Sequence, residues 1–90
     1  MTYTRSMVTK YFVNFARELG KTLSYRDSQG KINVGAWVLD HNPTYGGYII
    51  EEIDNIHGGV FHPFNNQRMK ADSFILAMDA FLNLRHYLKK

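Results

Sequence analysis

The sequence predicts an α+β domain, an antiparallel three- or four-stranded β-meander flanked by an N-terminal and a C-terminal helix packed on one face. Apolar residues recur at helical spacing near both ends of the 90-residue chain. Between them lie short β-branched and aromatic runs separated by glycine-containing turns. Such short connections favour antiparallel strands, and the two amphipathic helices can then cover the apolar face of the sheet.

The N-terminal helix is predicted over residues 6–19, where apolar side chains recur at intervals of three and four: Val8, Phe12, Phe15 and Leu19. Ser6 or Thr4 suits the N-cap, because a short side-chain oxygen can accept a hydrogen bond from the first turn. Gly20 stands where helices commonly end on a left-handed glycine.

The strands are predicted from alternation and from turn residues. Residues 22–26 alternate weakly, and residues 32–39 form a run that is apolar on both faces. Residues 40–47 are predicted as a loop, residues 48–53 as the next strand, and residues 60–62 as a short strand ended by Pro63. Trp37 lies on one face of its strand, either exposed there or covered by other parts of the chain.

The C-terminal helix is the most strongly periodic element. One stripe along it is apolar and comprises Ala71, Phe74, Ile75, Met78, Phe81, Leu82 and Leu88. Lys89 and Lys90 follow at the C-terminal end, where positive charge suits the helix dipole.

Composition sets limits on the class of protein. The 44% hydrophobic and 21% charged residues are typical of a globular chain, and 90 residues suffice for one domain, 1–90. The absence of Cys excludes disulfides and thiolate chemistry and favours a cytoplasmic setting. The N-terminal residues lack the apolar segment of a signal peptide, and no apolar run reaches the roughly 20 residues needed to span a bilayer. We therefore expect no membrane partner.

Charge is segregated along the chain. Residues 1–39 carry a net charge of +4, residues 40–66 carry −4, and residues 67–90 carry +3. One interpretation is a dipolar surface whose parts attract one another within the fold. The other is an acidic hairpin that binds a basic partner, because complementary fields promote encounter and specificity.

No catalytic or metal-binding motif stands out, so we expect neither enzyme activity nor a cofactor. Glu51 and Glu52 are adjacent on a strand and must point to opposite faces, so they cannot act together on one bond. The spacing of His41, His57 and His62 matches no strong metal-binding pattern.

These observations favour a small non-enzymatic protein-binding module whose partner is another protein with a basic surface. A phage or mobile-element inhibitor of a host nucleic-acid-handling machine would fit this description. The residues predicted to bind the partner are aromatic or acidic and lie in the middle of the chain: Trp37, Asp40, Tyr45, Tyr48, Glu51, Glu52 and Asp54.

Two alternatives remain. A nucleic-acid-binding domain would use basic helix residues, namely Lys10, Arg17, Arg68 and Lys70. The helix–strands–helix order resembles that of double-stranded-RNA-binding domains, although the glycine and clustered lysines that precede the last helix in that family are missing here. A homodimer formed through an open sheet face or an edge strand is the other alternative.

Overall fold

The computed structural model describes residues 3–89. In chain order the elements are α1 (Arg5–Glu18), β1 (Trp37–Asn42), a 3-10 turn (Pro43–Tyr45), β2 (Gly47–Ile53), β3 (Val60–Phe61) and α2 (Ala71–Leu88). The three strands form one antiparallel sheet in the order β1-β2-β3. The predicted α+β fold is confirmed, with three strands.

Both ends of α1 have the predicted capping groups. The Thr4 hydroxyl accepts a hydrogen bond from the Met7 N–H at 3.2 Å. At the other end Gly20 has a φ of 71°, and the N–H groups of Gly20 and Lys21 donate to the carbonyls of Arg17 and Ala16. This pair of bonds is a Schellman motif, which satisfies carbonyls that the helix leaves open.

The strand predicted over residues 32–39 is wrong for residues 32–36, because β1 begins only at Trp37. Gly35 has a φ of 92°, and the Ala36 N–H donates to the Asn33 carbonyl, so the backbone turns before β1 begins. Residues 22–26 form no strand either and contribute one isolated bridge, between Arg26 and Ile32. A left-handed glycine interrupts the extended backbone that β-branched residues on either side would otherwise favour.

The loop predicted over residues 40–47 is also corrected, because β1 continues through Asn42. Asp40 and His41 pair with Ile49 and Tyr48 of β2. The polar triplet at residues 40–42 has low strand propensity, yet pairing with an apolar central strand overrides that preference. The connection is therefore only a short 3-10 turn followed by Gly46.

Both helices pack on the same face of the sheet. Trp37 and Tyr48 lie on this face. Trp37 and His41 are an even number of residues apart in β1 and share a face, and Tyr48 is the partner of His41 in β2. The Trp37 ring lies 6.0 Å from Phe15 of α1, and the Tyr48 ring lies 5.7 Å from Phe74 of α2. The core therefore lies between the two helices and the side of the sheet that carries Trp37.

On the side of β2 away from β1, a side chain supplies some of the hydrogen bonds that a neighbouring strand would make. The Asn65 Oδ1 accepts from the Ile50 N–H at 3.2 Å, and its Nδ2 donates to the Tyr48 and Gln67 carbonyls at 3.1 and 3.0 Å. Met69 then makes two backbone hydrogen bonds with Tyr48. Residues 65–69 thus serve as an irregular neighbour of β2 where β3 has ended.

Replacing Asn65 by Ala is expected to lower the free energy of unfolding by about 1–3 kcal/mol, because the part-buried Ile50 N–H loses its acceptor. Chemical denaturation measures the change. Asn66→Ala is the control, since Asn66 is the exposed neighbour. An equal loss in both variants would contradict the role assigned to Asn65.

The covered side of α2 is narrower than the sequence predicts. Phe74, Ile75 and Met78 are buried, but Phe81 is 42% exposed and Leu88 is 70% exposed. The core stripe is therefore confirmed as far as Leu82, which packs against the core and is partly buried, and it does not extend to Leu88. Within residues 3–89, no helix combines the length and the apolar character needed to cross a membrane.

Candidate functional site

Three of the four acidic residues between positions 40 and 66 have partners within the domain, namely Asp40, Glu51 and Glu52. Asp40 forms an ion pair with Arg68, and the Arg68 guanidinium also donates to the Gly47 carbonyl at 3.1 Å. On the same side of the sheet, the Glu51 carboxylate lies 3.7 Å from the His62 imidazole. The Asp40–Arg68 pair joins the acidic segment to the basic C-terminal segment, which favours the interpretation in which oppositely charged parts of the chain attract one another.

Glu52 lies on the other face, as predicted for adjacent residues of a strand. Its carboxylate accepts a hydrogen bond from the Trp37 indole N–H at 2.7 Å, and the Lys21 ammonium lies 3.9 Å away. The carboxylate thus satisfies the polar atom of a buried aromatic side chain. This role in the core differs from the partner-binding role predicted for Glu52.

Trp37 is covered, which decides between the two alternatives that the sequence leaves open for this side chain. The residue is 5% exposed, with Phe15 against one part of the ring and the Lys21 ammonium 5.5 Å from the ring centre. The reason is the direction of the strand: the face that carries Trp37 is the face that α1 covers.

The remaining predicted contact residues are separated in space. Tyr48 is buried and stacked on His41, with ring centres 4.2 Å apart. Tyr45 is 74% exposed in the 3-10 turn, and Asp54 is exposed beyond the other end of β2. The predicted acidic and aromatic residues therefore do not form one continuous surface.

The basic residues predicted to contact nucleic acid are also dispersed. Lys10 and Arg17 are exposed on α1, seven residues apart and thus on one side of that helix. Arg68 crosses the opposite face of the sheet to reach Asp40, so it is separated from α1 by the sheet itself. Lys70 stands at the start of α2.

The histidines do not converge on a metal site. Among residues 3–89, no group of three His, Asp or Glu side chains is close enough to hold a metal ion. His41 is stacked on Tyr48, His62 pairs with Glu51, and His57 is exposed in the turn before β3.

One edge of β1 is left open. The Ile53 N–H donates to the Ala36 carbonyl and the Gly35 N–H donates to the Ile53 carbonyl, whereas Tyr48 bonds to Met69 on the far side of β2. This alternation directs the N–H and C=O groups of Trp37, Leu39 and His41 away from β2. The Trp37 N–H donates to the Thr22 carbonyl, whereas Leu39 and His41 have no backbone partner on this edge among residues 3–89.

A groove follows this open edge. Its first part has a volume of about 560 Å³ and is lined largely by apolar residues of α1, β1 and the segment between them, including Phe12, Val13, Leu23 and Leu39. Its second part, about 420 Å³, lies beside the start of α2. Arg5 and His41 line both parts, so the two lie next to each other.

The charge of the groove is one-sided. Arg5 and Lys70 contribute positive charge, and no Asp or Glu is found among the described residues that line either part. A groove with an apolar floor, two cations and an adjacent strand edge can bind an extended peptide that carries negative charge.

Sequence reasoning missed most of this groove. The sequence predicts His41 in a loop and Arg5 just before the N-terminal helix. His41 is a strand residue because it pairs with Tyr48 of β2, and the local sequence does not reveal this pairing. Lys70 was identified, but as a phosphate contact.

No family model, curated protein or solved structure matches this chain.

Proposed function

We propose that this protein is a non-enzymatic protein-binding module that binds an extended peptide segment along the open edge of β1. The observation that carries the proposal is a pair of backbone positions beside the groove, Leu39 and His41, that have no partner on this edge among residues 3–89. An incoming strand would satisfy these groups by continuing the pairing that Thr22 begins at Trp37. Backbone bonds then supply affinity, and the groove supplies specificity.

The groove specifies the side chains of that segment. Alternate residues of an added strand point to the same side, so those above Leu39 and His41 enter the groove two residues apart. The residue near Phe12 and Val13 is apolar, and the next one, near Arg5, carries a carboxylate. Lys70, which lines the second part, supports the same preference for negative charge.

A random twelve-residue peptide display library tests the proposal. We expect enrichment of peptides with an apolar and an acidic residue two positions apart. In synthetic binders, methylating backbone nitrogens one at a time should weaken binding at least about tenfold at alternate positions and little at those between, because only alternate N–H groups face β1.

Arg5→Gln is expected to weaken binding of the selected peptides about fivefold, since it removes an exposed cation that lines the groove. Arg17→Gln is the matched control, an exposed arginine of the same helix outside the groove. Peptides that bind equally to both variants, or whose binding shows no period of two under N-methylation, would contradict the proposal. Preferential binding of duplex RNA at low salt would instead favour the nucleic-acid alternative.

The hypothesis of an acidic hairpin that binds a basic host protein, as a phage inhibitor would, stays a prediction. It is less well supported than the groove, because Asp40, Glu51 and Glu52 already have partners. Asp54→Asn together with Tyr45→Ala would test it, since both positions are exposed. Unchanged binding to an identified basic partner would contradict it.

A further inference from the structure

The second part of the groove is larger and more aromatic than a carboxylate side chain requires. Its volume is about 420 Å³, within the range of ligand-binding cavities. Tyr3, Pro43 and Tyr48 contribute ring surfaces to its lining, and Arg5 and Lys70 contribute two positive charges. Neither cation forms an ion pair with a carboxylate among residues 3–89. An anion that enters this part therefore meets two cations beside apolar ring surface.

The His41 ring lies at the end of an aromatic stack and faces the groove. The rings of Phe74 and Tyr48 are 5.7 Å apart at 14°, and those of Tyr48 and His41 are 4.2 Å apart at 15°. Phe74 and Tyr48 are buried, whereas His41 is only partly buried and lines both parts of the groove. The core thus holds the His41 ring in place, and the surface that Tyr48 leaves uncovered can contact an aromatic ring of a ligand.

We infer that the second part of the groove binds a phosphotyrosine side chain of the peptide. This assignment rests on the proposed function, because the peptide must lie along β1 for its side chain above His41 to enter this cavity. The tyrosine ring packs against His41, and the phosphate is held by Arg5 from the start of α1 and Lys70 from the start of α2.

Charge favours a phosphate over a carboxylate at this position. A phosphate monoester carries a charge of about −1.5 to −2 at pH 7, which matches the two cations, whereas Asp or Glu carries a single negative charge. Arg binds phosphate through paired N–H groups, and Lys binds it as a point charge. Asp72, the acidic residue nearest to Lys70 in the sequence, does not line the cavity, and its carboxylate accepts a hydrogen bond from the Ser73 N–H at 2.8 Å.

The aromatic lining favours tyrosine over serine as the phosphorylated residue. Phosphoserine has no ring to pack against His41, and its short side chain keeps the phosphate close to the peptide backbone above β1. Phosphotyrosine places a rigid ring between the backbone and the phosphate, so that the phosphate extends into the second part of the groove. Acidic residues selected from an unmodified library are then weaker substitutes that supply the same sign of charge.

Synthetic versions of one selected peptide test the inference. The acidic position is made Glu, Tyr, phosphoserine or phosphotyrosine, and isothermal titration calorimetry measures each Kd at one salt concentration. We expect phosphotyrosine to bind at least about tenfold more tightly than Glu or Tyr, and at least about threefold more tightly than phosphoserine. Phosphotyrosine that binds no more tightly than Glu or Tyr would overturn the inference, as would phosphoserine that binds equally well.

Lys70→Gln tests the location of the phosphate. It is expected to weaken binding of the phosphotyrosine peptide at least about fivefold and binding of the Glu peptide by a smaller factor. Lys70 is exposed and its side chain makes no capping hydrogen bond, so circular dichroism should show an intact fold. Lys10→Gln is the matched control, an exposed lysine of α1 outside both parts of the groove. Equal losses in the two variants would indicate unspecific attraction and overturn the assignment.

Phenyl phosphate, added alone, separates failure of this inference from failure of the proposed function. It carries the ring and the phosphate without a peptide, so NMR should show saturable shifts of the amides of His41, Gly46 and Ala71. Such shifts without any peptide binding would contradict the proposed function and confirm the preference of the cavity for an aryl phosphate. Glu peptides that bind while phosphotyrosine brings no gain would contradict the inference alone. Shifts confined to residues around Lys10 and Arg17 would also overturn it.

Discussion

Replacing Phe15 by Ala is expected to lower the free energy of unfolding by about 3–5 kcal/mol. Phe15 is 1% exposed, and its ring lies 5.0 Å from Phe64, 5.6 Å from Phe81 and 6.0 Å from Trp37. It therefore joins α1 to the sheet, to α2 and to the segment before α2. The loss is large compared with the roughly 5–15 kcal/mol that stabilises a typical domain.

Guanidinium denaturation followed by circular dichroism measures this change. If Phe15→Ala is unfolded in buffer, Phe15→Leu keeps part of the buried volume and gives a smaller shift in the same direction. Tyr45→Ala is the control, because Tyr45 is 74% exposed and its loss should change stability by under about 0.5 kcal/mol. Similar shifts for Phe15→Ala and Tyr45→Ala would show that the core is not centred on Phe15.

Replacing Gly47 by Ala is expected to cost about 3–4 kcal/mol, a sum of strain in the left-handed region and loss of two backbone hydrogen bonds. Gly47 has a φ of 118°, and a β-carbon there would overlap the Met69 carbonyl oxygen and lie 3.0 Å from the carbonyl carbon. Both atoms belong to the backbone, so the paired Tyr48 and Met69 would have to separate.

Gly46→Ala is the matched control for this prediction. Gly46 has a similar φ of 106°, but a β-carbon there would meet the Arg68 side chain at an ordinary 3.7 Å. Only the conformational cost applies, about 1–2 kcal/mol. Thermal unfolding of the two variants compares them, and equal melting temperatures would show that the close approach of residues 47 and 69 carries no energy.

The helices could be predicted from the sequence because their information is local. Intervals of three and four place α1, and Thr4 and Gly20 mark its ends. The exposed face of α2 was also visible in principle. Leu76, Leu84 and Tyr87 form a second apolar arc, which a count of angles around the helix would have found alongside the core stripe.

The sheet was harder to predict because its information is not local. Asp40 and His41 become strand residues through pairing with β2, and Asn65 completes the far edge of β2 with its side chain. Whether Trp37 is buried depends on which face of the sheet α1 covers. The sequence does not decide this, because the predicted strand is apolar on both faces.

The same pairing bears on the two interpretations of the charge pattern. Asp40 of the acidic segment and the basic residue Arg68 lie 28 positions apart, and the fold brings Arg68 across β2 to Asp40. Charges that are separated along the sequence thus pair with one another in the folded domain. The net positive lining of the groove comes from Arg5 and Lys70, which lie near the starts of two different helices.

Amide hydrogen exchange along β1, followed by NMR, tests the central claim most directly. In the protein alone, the amides of Val38 and Asp40, which face β2, should exchange slowly, and those of Leu39 and His41 should exchange rapidly. A selected acidic peptide at saturation should slow the exchange of Leu39 and His41 by at least about tenfold. Uniform protection of all four amides before binding, or no change at Leu39 and His41 after it, would contradict the account.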